Sequence, residues 1–182
     1  MPGLSRKVWI SAFHGSADAT QLTQFQAAFP NATVQLFNLD RVAGSRHLLL
    51  ATFNAVKSYD SKRRISRSLG MEILLFVSGT RQISEAVKRV GISPETVRTA
   101  ALAVLPAGDD HSKVTDYLAG VLNEKADDSL LDQWTSRRKS TVVRTFGIGD
   151  KELKATIRED EKTEKAIERL AIERSAMLAI AK

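Results

Sequence analysis

Apolar residues recur in this chain with two different periods, and the alternation between them constrains the fold more than any single motif. Val8–Phe13 (VWISAF) is a short β-branched and aromatic run ended by His14-Gly15-Ser16, which predicts a strand. Asp18 then stands at the cap position of a helix through Leu22, Phe25, Ala28 and Phe29, stopped by Pro30-Asn31. Thr33–Phe37 alternates Val34 and Leu36 with polar neighbours, a second strand. Between Arg46 and Lys57, Leu49, Leu50, Phe53 and Val56 return at helical spacing, which puts Phe53 on the packed face. Ile65, Leu69, Ile73 and Phe76 continue in steps of three or four and predict a helix over 66–77. Met71–Val77 has equally the composition of a buried strand.

Further on, Ile83, Ala86, Val87 and Val90 mark a helix ended by Gly91, and Ala100–Leu105 reads as a strand closed by Pro106. Val114, Tyr117, Leu118, Val121 and Leu122 give another helix. Thr141–Phe146 is expected as a last strand, turning out at Gly147-Ile148-Gly149. Asp150–Lys182 is dense in helix formers. The fold class that follows is α+β (mixed α/β): a single domain with about four strands, surrounding helices and a long C-terminal helix. A core over residues 1–149 is expected to carry a helical segment, 150–182, packed on it or extending from it.

At 182 residues a chain buries roughly 70% of its unfolded surface, enough for one sizeable core. It contains no cysteine, which removes disulfides, thiolate metal sites and thiol nucleophiles, and fits a reducing compartment. Arg6 and Lys7 are not followed by the apolar run of a secretory leader, and no stretch approaches the ~20 apolar residues of a membrane span. A cytoplasmic, membrane-free protein is expected.

The net charge of +6 is unevenly spread. Arg41–Arg98 holds eleven basic residues against four acids, whereas Thr99–Asp132 holds seven acids against two lysines. A basic stretch of this density suits a polyanion such as nucleic acid, and equally suits a solvated surface.

Few patterns speak for catalysis. His14, His47 and His111 are far apart, and no two stand at metal-ligand spacing. Gly147-x-Gly149 lacks the third glycine of a dinucleotide loop, and neither a phosphate-cradling GxxxxGK[ST] nor a GxSxG elbow is present. No catalytic residue, metal or cofactor is expected. One local pattern points elsewhere: residues 83–98, ISEAVKRVGISPETVR, have the outline of a helix-turn-helix that would offer Glu95, Thr96 and Arg98 to a DNA major groove. Against it stand the bulk of Val87 at the close approach of the two helices and the strand-like AALAVLP that follows.

Three blocks carry a stronger signal. They are Val42-Ala43-Gly44 with His47–Ala51 and Asn54-Ala55; Ile65–Leu75 (ISRSLGMEILL); and Ser78–Ala86 (SGTRQISEA), ending at Gly91-Ile92. In this order they resemble the kinase-binding regulatory subunit of the KEOPS complex, the relative of mammalian PRPK-binding protein, and the compact form looks archaeal. The resemblance implies a non-catalytic subunit of a complex that places threonylcarbamoyl on the adenosine beside the tRNA anticodon. It implies binding to a small atypical kinase, contact with the other subunits through it, and, in archaeal members, a hold on the 3′ CCA tail of tRNA.

Lys57, Lys62, Arg63, Arg64, Arg67 and Arg81 fall within those blocks or between them and are the tRNA-binding candidates, with His47 as a surface for a base. For the kinase, Ile167, Leu170, Ala171, Arg174 and Leu178 form a stripe at helical spacing. That stripe serves either a partner's groove or the protein's own sheet.

Overall fold

The structure is a computed structural model that describes residues 6–16, 19–61 and 63–180. Asp18, the expected cap of the first helix, and Lys62 lie outside the described residues. The elements run β1 (Arg6–His14), α1 (Ala19–Ala28), β2 (Thr33–Asn38), a 3-10 turn at Leu39–Arg41, α2 (Ser45–Asp60), α3 (Leu69–Ser78), α4 (Ile83–Val90), β3 (Arg98–Pro106), α5 (His111–Leu122), a 3-10 turn at Asp128–Asp132, α6 (Ser136–Phe146), α7 (Asp150–Thr156) and α8 (Thr163–Ile180).

β3 is central in a three-stranded antiparallel sheet of order β1-β3-β2, with Ile10 opposite Leu102 and Leu36 opposite Ala101. Successive side chains of a strand point to opposite faces, and β3 alternates two apolar sets. Ala100, Leu102 and Val104 join Ala12 and Phe37 in a cluster with α2, α3, α4, α6 and α8. Ala101, Ala103 and Leu105 pack on the other face with Phe13, Val34, Leu36, Phe25 of α1, and Val114 and Leu118 of α5. Both faces of the sheet are therefore covered, which is why AALAVL is apolar without interruption.

The mixed α+β class holds, with one strand fewer than expected. Thr141–Phe146 is the second half of helix α6, not a strand. Thr135 caps that helix, accepting from the Arg138 N–H at 3.1 Å. Gly147, at φ +60°, closes it while the Ile148 N–H reaches back to the Val143 carbonyl. Between these caps the β-branched run offers Val142 and Phe146, four apart, to the core, and packing overrides strand propensity.

The 66–77 segment is helical from Leu69, capped by Ser68 and ended by Gly79 at φ +67°. Ile73 through Ser78 are all buried, so no polar face interrupts the run to reveal its period. The C-terminal segment is two helices rather than one. Arg169 of α8 clamps the turn between them, pairing with Glu161 and donating to the Thr156 carbonyl at 2.6 Å. Arg174 joins α8 to Glu152 of α7 at 2.6 Å.

The helix-turn-helix is absent. After α4, residues 93–96 form one turn, with the Thr96 N–H donating to the Ser93 carbonyl at 2.9 Å. Arg98 already pairs with His14 across the sheet. A recognition helix has no residues left to form it, and the DNA-binding alternative falls.

Candidate nucleic-acid interface

The last turns of α2 and the loop 61–68 carry the densest group of cations, and one buried acid holds the loop in shape. Glu72, fully buried in the otherwise apolar start of α3, accepts the backbone N–H of Ile65 at 3.0 Å and of Ser66 at 2.8 Å. It also accepts the Ser58 hydroxyl at 2.9 Å. A carboxylate satisfied by two amides and a hydroxyl forms charge-assisted bonds, roughly twice as strong as neutral ones. Ser66 Oγ donates to the Ser68 carbonyl at 2.7 Å, and Tyr59 donates to the Arg67 carbonyl at 3.2 Å. The Arg64 guanidinium lies 5.5 Å from the centre of the Tyr59 ring.

The loop thus fixed forms one wall of a cleft of about 710 Å³. Lys57, Arg63 and Arg81 line it together with Asn54, Ser58, Ser61 and Ile65, and the end of α8 supplies Leu178, Ala179 and Ile180. Three of the expected tRNA-binding residues therefore share one concavity that no acid lines among the described residues. Arg64 and Arg67 are exposed on the same loop outside the cleft lining.

His47 does not join them. It is fully buried, its Nδ1 accepting the Ala43 N–H at 3.2 Å and its Nε2 lying 3.0 Å from Ser175 Oγ. Burial lowers its pKa to about 3 against the opposing effect of a hydrogen bond to the Val77 backbone. A neutral ring in the core cannot stack on a nucleobase, so that expectation is corrected. Phe53 corrects the other way: it is 55% exposed on the outside of α2.

The stripe on α8 also turns inward. Ile167, Leu170, Ala171 and Leu178 are buried in the protein's own core, where α8 crosses α2, α3 and α6 rather than the sheet. Of the expected kinase-binding set, only Arg174 reaches the surface. The outward face of the last turns instead presents Met177, 52% exposed, and Ile180, 70% exposed.

Residues 13–179, from the end of β1 to the last turn of α8, match the family described as Kinase binding protein CGI-121. The chain belongs to that family. An EKC/KEOPS complex subunit CGI121 of Yarrowia lipolytica is 23% identical over 116 residues, 63% of this chain and 68% of that protein. The regulatory protein Cgi121 of Methanocaldococcus jannaschii is 28% identical over 113 residues, 62% of this chain and 72% of that one. A Coccidioides immitis EKC/KEOPS complex subunit CGI121 is 29% identical over 97 residues, 53% of this chain and 44% of its own. The family span takes in every cleft residue but Ile180. Among the described residues no helix is long and apolar enough to cross a membrane, and no three His, Cys, Asp or Glu residues gather as a metal site.

Two structural residues of this CGI-121 chain went unread in the sequence, Glu72 and Arg138. Arg138 is fully buried on α6 and donates to four carbonyls: Gln133 at 2.7 Å, Leu131 at 2.8 Å, Leu130 at 3.0 Å and Val42 at 3.2 Å. Its guanidinium stacks 5.0 Å from the Trp134 ring, and burial lowers its pKa to about 10. It ties the Asp128–Asp132 turn to the approach to α2. There Asp132 accepts the N–H and the hydroxyl of Ser45, at 3.2 and 2.9 Å. Gly44 stands at φ +100°, a conformation that side chains rarely adopt, and a Cβ there would also crowd Asp132 Oδ1 at 2.8 Å. A single acid inside ILLFV-like sequence was a visible signal for Glu72. Arg138 sits among Arg137 and Lys139, and nothing local separates it from them.

Proposed function

We propose that this chain is a non-catalytic KEOPS subunit that docks the complex's small atypical kinase and holds the 3′ CCA end of tRNA beside it. The observation that carries the tRNA half is the cleft: cations on one wall, apolar α8 residues on the other, and polar side chains between. An unpaired RNA end needs that combination. Lys57, Arg63 and Arg81 meet phosphates, Ile65 and Ile180 meet base faces, and Asn54, Ser58 and Ser61 offer hydrogen bonds to base edges. Arg64 and Arg67 extend the positive field toward the incoming strand.

For the kinase, the family description and the relatives' names support docking. The anchors that best suit it are Met177 and Ile180, with Arg174 at their flank, in place of the buried stripe. Ile180 belongs to both surfaces, so a kinase seated there would lie next to the bound RNA end. The subunit's work is then positioning, with no reacting group of its own.

The test is a binding titration of mature tRNA and of the same tRNA without CCA, at two salt concentrations. CCA-dependent binding that weakens with salt, and that Lys57→Ala with Arg63→Ala removes, supports the reading. Equal affinity for both RNAs refutes the CCA assignment. Met177→Glu with Ile180→Glu is expected to abolish capture of the kinase without lowering thermal stability.

A further inference from the structure

The cations of the Arg41–Arg98 stretch divide between two places, and only some face the cleft. Arg41 and Lys88 instead join Arg137 and Arg144 of α6 in a groove made of two adjoining cavities, of about 300 and 530 Å³, which share Arg41, Thr141 and Arg144. Three acids border the groove, and two of them are held in ion pairs. Asp40 pairs with Arg98, Glu85 with Arg89 at 2.9 Å, and Glu95 is hydrogen-bonded by Ser93. Lys88, Arg137 and Arg144 make no ion pair among the described residues, and Arg41 donates to the Lys88 carbonyl at 2.7 Å. α6 contains four basic residues and no acid.

Along α6, Arg137, Ser140, Thr141 and Arg144 stand at helical spacing, so all four lie on one face lining the groove. Seven residue steps span about 10 Å of helix axis, long enough to reach more than one phosphate of a strand. Cations at both ends with hydroxyls between are the donors that position a nucleic-acid backbone without reading its bases. α4 links the two basic places. Arg81, just before it, lines the cleft, and Lys88, in its last turn, lines the groove. They stand seven residues apart, about 10 Å at the helical rise.

We propose that the groove between α4 and α6 is a second RNA contact, which takes the phosphate backbone of the stem adjoining the unpaired end, independently of base sequence. Assigning the groove to RNA rests on the reading of this chain as a tRNA-binding subunit. The groove contact itself, however, does not need the CCA nucleotides. An acidic protein surface is the competing occupant. The row of hydroxyls set between cations favours RNA.

The experiment compares wild type, Arg137→Ala with Arg144→Ala, and Lys57→Ala with Arg63→Ala, on tRNA with and without its CCA end, across 0.05–0.2 M salt. Removing two phosphate-binding cations, at a slope of about 0.7–0.9 each, should make the groove variant bind both RNAs roughly tenfold or more weakly at 0.1 M. Its log–log salt dependence should be shallower by about 1.5, with the ratio between the two RNAs unchanged. Arg137→Gln with Arg144→Gln, which keeps a polar helix surface, should act alike.

Unchanged affinity and slope on the CCA-less RNA would overturn the groove assignment, as would failure of the wild type to bind that RNA at 0.05 M salt. Loss of kinase capture with RNA binding intact would assign the groove to a protein partner instead. If the wild type shows no CCA preference yet the groove variant weakens both RNAs, the CCA reading fails and the groove stands.

Discussion

Lowering the pH from 7 to 5 should destabilise this protein through His47. The imidazole is buried with Nδ1 facing the Ala43 N–H, so a proton added there meets a donor and loses the bond. The folded-state pKa is about 3 against an ordinary 6.5. Between those values the unfolded chain binds the proton that the native state refuses, so stability rises with pH. The contribution is complete above pH 6.5, declines as pH falls below it, and is exhausted near pH 3. One pH unit corresponds to about 1.4 kcal/mol, which gives about 2 kcal/mol at pH 5 and on the order of 5 kcal/mol over the whole window. Urea unfolding followed by the fluorescence of Trp9 and Trp134, at several pH values from 7 to 5, measures it directly. His47→Gln keeps an amide in place of the ring but does not titrate, and any slope it retains belongs to other groups. A wild-type stability that is flat from pH 6.5 to 5, or a slope identical in the variant, would refute the reasoning.

Three further outcomes follow from the same structure. Arg138→Met should cost about 3 kcal/mol or more, since three buried carbonyls and the part-buried one of Gln133 are deprived of their donor together, and urea midpoints would show it. Glu72→Gln should cost only about 1–2 kcal/mol, but the Ile65 and Ser66 amides should exchange hydrogen faster and CCA-dependent RNA affinity should fall several-fold. Affinity unchanged with the loop demonstrably loosened would separate Glu72 from RNA binding. Phe53→Ala should change stability by less than about 0.5 kcal/mol, whereas a packed phenylalanine would cost about 3–5 kcal/mol, so thermal melts distinguish the two placements.

Local pattern sufficed where an element has one wet face or a clear terminator. α4 and α5 show their period because polar residues fill the other side, and β1 and β2 end at turn residues; in α2 the period marked the helix, but the packed face is His47, Leu48, Ala51, Thr52 and Ala55. The pattern left helix and strand both open where burial removes that contrast, as in α3, which is the expected helix, and it failed where capping competes with propensity, as in α6. The break at Asp160 before α8 depends on Arg169 reaching Glu161 and the Thr156 carbonyl. A window of residues read as continuous helix does not contain that contact's geometry.

For the functional surfaces the division is similar. The sequence by itself determined the mixed α+β class, the absence of cysteine chemistry, the family resemblance and the concentration of cations from Arg41 to Arg98, because each is a property of composition or of short-range order. Tertiary structure decided that Lys57, Arg63 and Arg81 meet α8 at one cleft while Arg41 and Lys88 meet α6 at another. It also decided that His47 and the α8 stripe face inward and that Phe53, Met177 and Ile180 face outward. An amphipathic helix announces that one face must be buried, but which neighbour buries it is fixed by packing among elements distant in the chain.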